Sequence, residues 1–164
     1  MDERKKLDLS RDKENIIQLL KGMRMFDELT DEELVVTSGY MNLYELKKGD
    51  FLFKEGDTGD YVCFVAAGGI DVLKESITGN RVVISTVSRG YSLGEMSVID
   101  ETSRSASAMA REDTTLIVLA RNGFRIILEK HPQVGIKMLK GIARLLSINM
   151  RKTSDRLADY MLPL

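Results

Sequence analysis

The sequence is poor in the residues that build disulfides and metal sites. Its 164 residues include one cysteine, one histidine, two prolines and no tryptophan. A single cysteine excludes an intrachain disulfide, which favours a reducing compartment, and we expect a cytoplasmic location. Because zinc sites are built from several cysteine and histidine ligands, no metal is expected. No apolar run approaches the roughly 20 residues that a membrane span needs.

The sequence also lacks an excess of positive or negative charge, since it has 24 Lys and Arg residues and 25 Asp and Glu residues. This balance provides no broad basic surface for a nucleic acid or an anionic membrane. An enzyme is not expected, nor is a cofactor. The only histidine, His131, precedes Pro132 at a predicted helix start, where a capping or surface role is the simpler interpretation. Cys63 lies in an apolar strand and is interpreted as a small buried hydrophobe.

Three patterns follow one another along a chain of single-domain size. Residues 1–45 show helical periodicity, and Thr30 with Glu33 forms a capping-box signature at a helix start. Residues 46–120 contain short apolar runs such as FLF, YVCFVA and TTLIVLA, separated by turns rich in Gly, Asp and Asn. These runs predict an antiparallel barrel or sandwich. Residues 121–164 return to a helical pattern.

A long helix is predicted from Pro132 to the end of the chain. Its apolar positions follow one another at steps of three and four, which makes one continuous stripe. The stripe consists of Leu139, Ile142, Leu146, Met150, Thr153, Leu157 and Met161. Two interpretations stay open: the stripe packs against the chain's own barrel, or part of it contacts a second copy of the chain.

The stretch LGEMSVIDETSRSASA combines groups that suit a phosphorylated sugar. Gly94 permits a tight turn into a short helix, whose free N–H groups favour an anion. The carboxylate of Glu95 accepts hydrogen bonds from hydroxyls, and the planar fork of Arg104 matches a phosphate. Ser105 and Ala106 are small, so their N–H groups can reach the same anion. The stretch therefore fits a ligand that carries a phosphate and a ribose hydroxyl.

A second interpretation needs no ligand. Glu95 and Arg104 would then form an ordinary surface salt bridge, which contributes only about 0–1 kcal/mol to stability. The local spacing of the two residues is compatible with both interpretations.

The same stretch resembles the phosphate-binding cassette of the cyclic nucleotide-binding domain family, of the cAMP-receptor-protein and protein-kinase regulatory-subunit type. The cassette reads Gly-Glu-aliphatic-small, then a short gap, then Arg followed by Ser, Thr or Ala, and residues 93–106 match it. Upstream, KKGDFLFKEGDTGDYVCFVAAGGIDVL resembles the family's strands and turns, and the similarity runs from about Leu20 to Leu146. The resemblance implies a mainly β fold with flanking helices. Its centre would be an antiparallel β-roll, jelly-roll-like (a double-stranded β-helix barrel), between N-terminal helices and a long C-terminal helix.

The resemblance also implies roles for individual residues. Arg104 would pair with the exocyclic oxygens of a cyclic phosphate, and Glu95 would accept from the ribose 2′-OH and help to hold Arg104. Further contacts are expected from the N–H groups of Ser105 and Ala106, from the short helix with Gly94, Met96 and Ser97 around the sugar, and from Val72 and Ile84 as an apolar wall near the base. For Val72 and Ile84, a plain core position is an equal alternative.

The base is expected to meet the helix that follows the barrel. In transcriptional members of the family two adjacent hydroxyl residues contact it there, and the matching places hold Asn149 and Met150. Asn149 can donate and accept hydrogen bonds, whereas Met150 cannot replace a hydroxyl. Ser105 is compatible with either base. We favour cAMP over cGMP as the ligand, and the choice stays open.

These observations predict a cyclic nucleotide-binding regulatory module, one domain over residues 1–164, that signals through its C-terminal helix. The partners expected are the nucleotide, a second copy of the chain and an unidentified protein. The chain ends where DNA-binding relatives begin a winged helix-turn-helix, so no nucleic acid contact is expected from it. The alternative is a structural or interaction module of the same fold that dimerises through its C-terminal helix or binds another anion.

Overall fold

The computed structural model describes residues 9–161, in which five α-helices flank eight strands. The strands are β1 (Met41–Leu46), β2 (Phe51–Phe53), β3 (Tyr61–Ala67), β4 (Gly69–Glu75), β5 (Arg81–Ser88), β6 (Ser92–Leu93), β7 (Ser107–Ala110) and β8 (Thr114–Ala120). The helices are α1 (Leu9–Lys21), α2 (Asp31–Ser38), α3 (Glu95–Asp100), α4 (Arg121–Lys130) and α5 (Pro132–Tyr160), with a short 3-10 helix at Arg24–Phe26. The predicted helical ends at residues 1–8 and 162–164 lie outside the described residues.

The strands form two four-stranded antiparallel sheets. One sheet has the order β1-β8-β3-β6 and the other the order β2-β7-β4-β5. Strands that are distant in sequence are therefore neighbours, as β1 and β8 show by pairing Leu43 with Ile117. Two packed sheets with helices at both ends confirm the predicted β-roll with flanking helices.

The side chains of β3 and β8 are buried on both faces, which explains the continuous apolar runs YVCFVA and TTLIVLA. Because side chains alternate along a strand, Cys63 and Val65 point between the two sheets, whereas Val62 and Phe64 point towards the helices. The domain thus has two apolar cores that share one sheet. Cys63 is fully buried, as predicted.

The predicted boundary between helix and sheet at residue 46 is wrong. Residues 41–46 already form β1, and their buried side chains alternate with more exposed ones. Met41 and Leu43 join the core under the helices, and β1 is held by its pairing with β8. The prediction failed because a six-residue apolar segment that follows a helix has no local feature that separates the two structures.

The predicted helix start at Thr30 is confirmed in its atomic detail. The Thr30 hydroxyl accepts from the Glu33 backbone N–H at 3.3 Å, and the Glu33 carboxylate accepts from the Thr30 N–H at 2.9 Å. Glu33 also pairs with Lys137 at 2.7 Å, and Glu28 pairs with Arg144 at 2.6 Å. These two pairs join the N-terminal helices to the first half of α5.

Helix α5 is 29 residues long and divides into two halves of different environment. In the first half, Ile142 is buried in the domain's own core and Leu146 packs against it. In the second half, every residue from Arg151 to Met161 is exposed. The single stripe expected from the sequence therefore has two parts. The part in the first half of α5 packs against the described chain, residues 9–161, and the part in the second half does not.

Candidate functional site

A cavity of about 490 Å³ opens beside α3, between the sheet that ends in β5 and the second half of α5. This volume lies within the range of roughly 300–1,000 Å³ that is usual for small-ligand pockets. The structure brings all ten residues predicted to contact the ligand to the wall of this one cavity. They are Val72, Ile84, Gly94, Glu95, Met96, Ser97, Arg104, Ser105, Ala106 and Asn149.

Arg104 is fixed in the wall by its backbone and by its side chain. Its N–H donates to the Asp57 carbonyl, and its carbonyl accepts from the Gly56 N–H, both at 2.8 Å. The guanidinium donates from Nη2 to the Tyr61 carbonyl at 2.7 Å and from Nη1 to the Gly94 carbonyl at 3.1 Å. The loop rich in Gly and Asp before β3 therefore holds Arg104 in place, and only 2% of the residue is exposed.

The charge of Arg104 forms no ion pair with a carboxylate among residues 13–161, although it acts electrostatically on the Glu95 carboxyl. Its guanidinium carbon lies 4.2 Å from the centroid of the Phe53 ring and 4.5 Å from that of Tyr61. Its Nε is buried and has no hydrogen-bond partner. Because a buried charge is costly unless it is paired, this arrangement favours an anion in the cavity.

Gly94 allows α3 to begin directly beside that guanidinium. The backbone there has φ 82°, a left-handed conformation in which glycine is strongly preferred. A Cβ at this position would run into the guanidinium of Arg104 and would lie 3.2 Å from the Tyr61 carbonyl oxygen. The predicted turn into a short helix is thus confirmed, and glycine is required there for two reasons.

Glu95, the first residue of α3, is also buried in the cavity wall. Only 6% of it is exposed, and its Oε2 has no hydrogen-bond partner. Burial raises the pKa of the Glu95 carboxyl above its ordinary value of 4.5, against the opposing effects of its own backbone N–H, of the Ser92 hydroxyl and of the Arg104 charge. The interpretation of Glu95 and Arg104 as a surface salt bridge is therefore excluded, because both are buried and neither forms an ion pair.

Backbone donors follow Arg104 at the same wall. The N–H groups of Ser105 and Ala106 donate to no acceptor within residues 9–161. The Ser105 carbonyl accepts from the Lys74 ammonium at 2.5 Å. Since the peptide unit is planar and trans, this contact directs the Ala106 N–H to the opposite side from Lys74.

The remaining predicted residues form more open parts of the wall. Met96 on α3 and Ile84 on β5 are about half exposed, so the core interpretation of Ile84 is wrong. Val72 on β4 is partly buried and lines the cavity, so a wall position fits it. Asn149 reaches the cavity from α5 with an exposed side chain.

Sequence reasoning missed three further residues of α5 that line the cavity: Lys152, Thr153 and Arg156. Arg156 donates from Nη1 to the Ile84 carbonyl at 2.7 Å, and the Lys152 ammonium lies 5.2 Å from the centroid of the Tyr91 ring. Positions three, four and seven residues after Asn149 share its helix face. That spacing was the signal that could have identified these residues.

Among the side chains that the structure describes, residues 13–161, no group of three or more metal-ligating side chains is close enough to hold an ion. In the same part of the chain, no helix combines the length and apolar character that crossing a membrane requires.

Known proteins resemble this chain in sequence. The sequence pattern of the cyclic nucleotide-binding domain family matches residues 43–131. The cyclic AMP receptor protein of Thermus thermophilus is 32% identical over 125 residues, which are 76% of this chain and 58% of that protein. A cGMP-dependent protein kinase of Plasmodium berghei is 32% identical over 111 residues, 68% of this chain and 12% of the kinase. The chain thus spans less than two thirds of either relative.

The fold is shared as well. A solved cyclic nucleotide-binding domain from Methylobacillus flagellatus has a TM-score of 0.83 and 30% identity to this chain, over 94% of this chain and 86% of that one. The family pattern covers more than half of the chain, from β1 through both sheets and the cassette to the start of α5. The chain therefore belongs to the cyclic nucleotide-binding domain family.

Proposed function

We propose that this chain is a cyclic nucleotide sensor that binds cAMP or cGMP in the cavity beside α3 and signals through α5. One observation carries the proposal. The cavity wall holds a buried cation that forms no ion pair, Arg104, and a buried carboxylate with an oxygen that accepts no hydrogen bond, Glu95. A ligand that presents an anion to the first and a hydroxyl to the second satisfies both groups at once.

The phosphate is proposed to lie between Arg104 and the N–H groups of Ser105 and Ala106. The free Nε–H of Arg104 and the two backbone donors are all hydrogen-bond donors without acceptors in the described chain. A cyclic phosphate diester carries one negative charge, which balances the one uncompensated guanidinium. A module that takes a different anion remains the alternative function, because these donors recognise any group of similar size and charge.

The sugar and the base are proposed to occupy the rest of the cavity. Glu95 accepts from the ribose 2′-OH, while Gly94, Met96 and Ser97 surround the sugar. Val72 and Ile84 supply apolar contact to the base. Asn149 faces the base from α5, and its amide can donate to one base and accept from another, so it discriminates weakly between adenine and guanine.

The experiment that tests this function is calorimetric titration of the chain with cAMP and cGMP, beside thermal unfolding. We expect binding of at least one nucleotide, with cAMP the tighter ligand. At a ligand concentration one hundred times the dissociation constant, the free energy of unfolding should rise by about 2.7 kcal/mol. 5′-AMP is the matched control, since it keeps the base and ribose but lacks the cyclic diester. If neither cyclic nucleotide gives a heat of binding or raises the stability of the chain, only the alternative function is left.

Signalling requires that the nucleotide bind one position of α5 better than another. The second half of α5 covers the cavity mouth through one face, with Arg156 on the β5 backbone and Lys152 on the Tyr91 ring. Beyond Ile148 every described residue of this half is exposed and none belongs to the buried apolar core, so no apolar packing on the domain's own core holds it. A nucleotide that contacts Asn149 would therefore change how this half of the helix docks.

We propose that the face of α5 next to the cavity face, with Thr153 at the border between the two, pairs with a second copy of the chain. Residues at alternating steps of three and four follow a heptad pattern on that face, and all but one are apolar. They are Ile136, Leu139, Ala143, Leu146, Met150, Thr153, Leu157 and Tyr160. Met150 is 69% exposed and Leu157 is 60% exposed. A heptad pattern over residues 136–160 in which most large apolar side chains are exposed is typical of a two-helix coiled coil.

Leu157→Glu is expected to weaken self-association about tenfold or more, because it introduces a charge on each side of the proposed seam. Sedimentation velocity over a range of concentrations measures the monomer–dimer equilibrium. Ala158→Glu is the matched control, since it adds the same charge one position off the seam. The dimer proposal fails if the wild-type chain sediments as a monomer throughout, or if both variants behave alike.

A further inference from the structure

Arg121 bonds to α3 but does not line the cavity, so ligand contact does not explain its role. It is the first residue of α4 and directly follows β8. Its Nη2 donates to two carbonyl oxygens, one of Ser97 on α3 at 3.0 Å and one of Gly59 in the loop before β3. Its backbone N–H donates to the Asp60 carbonyl at 2.7 Å. One residue thus joins three segments that are distant in sequence.

Helix α3 needs such an anchor. It has only six residues, and so short a helix has no stability of its own. The last four carbonyls of any helix lack intrahelical partners, and Ser97 provides one of them here. Arg121 supplies a donor for that carbonyl from outside the helix.

The junction under α3 is also tightly packed. A Cβ on Gly59 would run into the side chain of Ser97, so the loop backbone lies directly against the helix. The Nε of Arg121 is buried there without a hydrogen-bond partner. The guanidinium is partly buried, and its two charge-assisted bonds to carbonyl oxygens offset the cost of that burial only while α3 and the loop stay in place.

The other side of α3 faces the cavity through Glu95, Met96 and Ser97, whereas Arg121 does not line the cavity. Helix α4 leads through His131 into α5, which contributes Asn149 and its neighbours to the cavity mouth. A shift of α3 towards a ligand would pull on the bond between Ser97 and Arg121, at the first residue of α4.

We infer that Arg121 is a positioning residue that holds α3 in the geometry needed for ligand binding and links the position of α3 to α4 and α5. The ligand-dependent part rests on the proposed function. Arg121 touches no ligand in this proposal and acts only through the Ser97 and Gly59 carbonyls.

The first arm of the test uses no nucleotide. Hydrogen–deuterium exchange of Arg121→Gln is expected to be faster than in wild type at residues 93–104 and 55–60, and unchanged in β3. Arg125→Gln is the matched control, because Arg125 lies one turn further along α4 and bonds only to Asn122 and Glu129. Equal exchange at α3 in wild type and Arg121→Gln overturns the inference, as does a uniform increase that Arg121→Lys shares.

The second arm adds the cyclic nucleotide that binds. We expect its dissociation constant to rise about tenfold in Arg121→Gln and to change little in Arg125→Gln. We also expect the nucleotide to alter exchange in α4 in wild type and not in Arg121→Gln. An unchanged dissociation constant, or an unchanged response of α4, overturns the inference. Absence of binding to wild type refutes the proposed function instead, and the first arm still decides whether Arg121 anchors α3.

Discussion

Arg104→Gln is expected to weaken cyclic nucleotide binding by about a hundredfold or more, so that no heat of binding is detected at ordinary titration concentrations. Charge-assisted hydrogen bonds contribute about 1.5–3 kcal/mol each, and a hundredfold change corresponds to about 2.7 kcal/mol. Arg104 supplies the buried cation at the cavity wall, and it forms no ion pair within residues 13–161. Glutamine can donate a hydrogen bond but cannot balance the charge of a phosphate.

Two further variants separate binding from folding. Arg104→Lys keeps the charge and loses the planar fork, so we expect intermediate affinity. Arg111→Gln is the matched control, because Arg111 directly follows β7 and its exposed side chain lies beside Thr86 and outside the cavity. Urea unfolding of each variant shows whether it is folded. A folded Arg104→Gln that binds as tightly as wild type would contradict the proposed phosphate site.

Glu95→Gln is expected to act with opposite signs on stability and on binding. Without ligand, the free energy of unfolding should rise by about 1 kcal/mol, because the substitution removes a buried carboxylate whose Oε2 has no partner. Nucleotide affinity should fall by roughly tenfold to a hundredfold, because a carboxylate accepts the 2′-OH hydrogen bond more strongly than an amide does. Thermal unfolding and calorimetric titration on the same preparation measure both effects.

The gain in stability of Glu95→Gln should depend on pH. Burial raises the pKa of Glu95 above 4.5 in the folded chain, so the folded state holds this proton more tightly than the unfolded state. Below pH 4.5 the carboxyl is protonated in both states and costs little. As the pH rises through the raised pKa, the wild-type chain loses stability that the glutamine variant keeps. Above that pKa the difference in the free energy of unfolding between the two chains reaches its full value.

Urea unfolding from pH 4 to pH 8 measures this dependence. Glu45→Gln is the matched control, since Glu45 is exposed on β1, and we expect no comparable change. If Glu95→Gln lowered stability and affinity together at every pH, Glu95 would be a structural residue and not the acceptor for the ribose.

Much of the fold could be predicted because its signals are local. The capping box at Thr30 depends on two residues three positions apart, and the structure reproduces both of its hydrogen bonds. The turn at Gly94 depends on the freedom of one residue to adopt positive φ. The continuous apolar run of β3 follows from burial on both faces of the strand. Strand β1 was missed because its partner β8 lies about seventy residues further along the chain.

The candidate site shows the same division. The residue types at Glu95 and Arg104 suggested a phosphate and a ribose hydroxyl, but their spacing could not separate an ion pair from two separate functional groups. That difference depends on burial, which the Asp57 loop and the rings of Phe53 and Tyr61 produce from other parts of the chain. Lys152 and Arg156 belonged to no motif, because their contacts depend on the direction in which α5 leaves the core.

By itself, the amino-acid sequence determined the positions of the turns, of the helix caps and of the alternating apolar side chains. These features depend on backbone sterics and on hydrogen bonds within a few residues. Only the tertiary structure decided that a guanidinium and a carboxylate are buried unpaired in one cavity, and that α5 covers its mouth with one face while leaving the other uncovered. Burial and missing partners are properties of segments that meet across the whole fold, and no local pattern contains them.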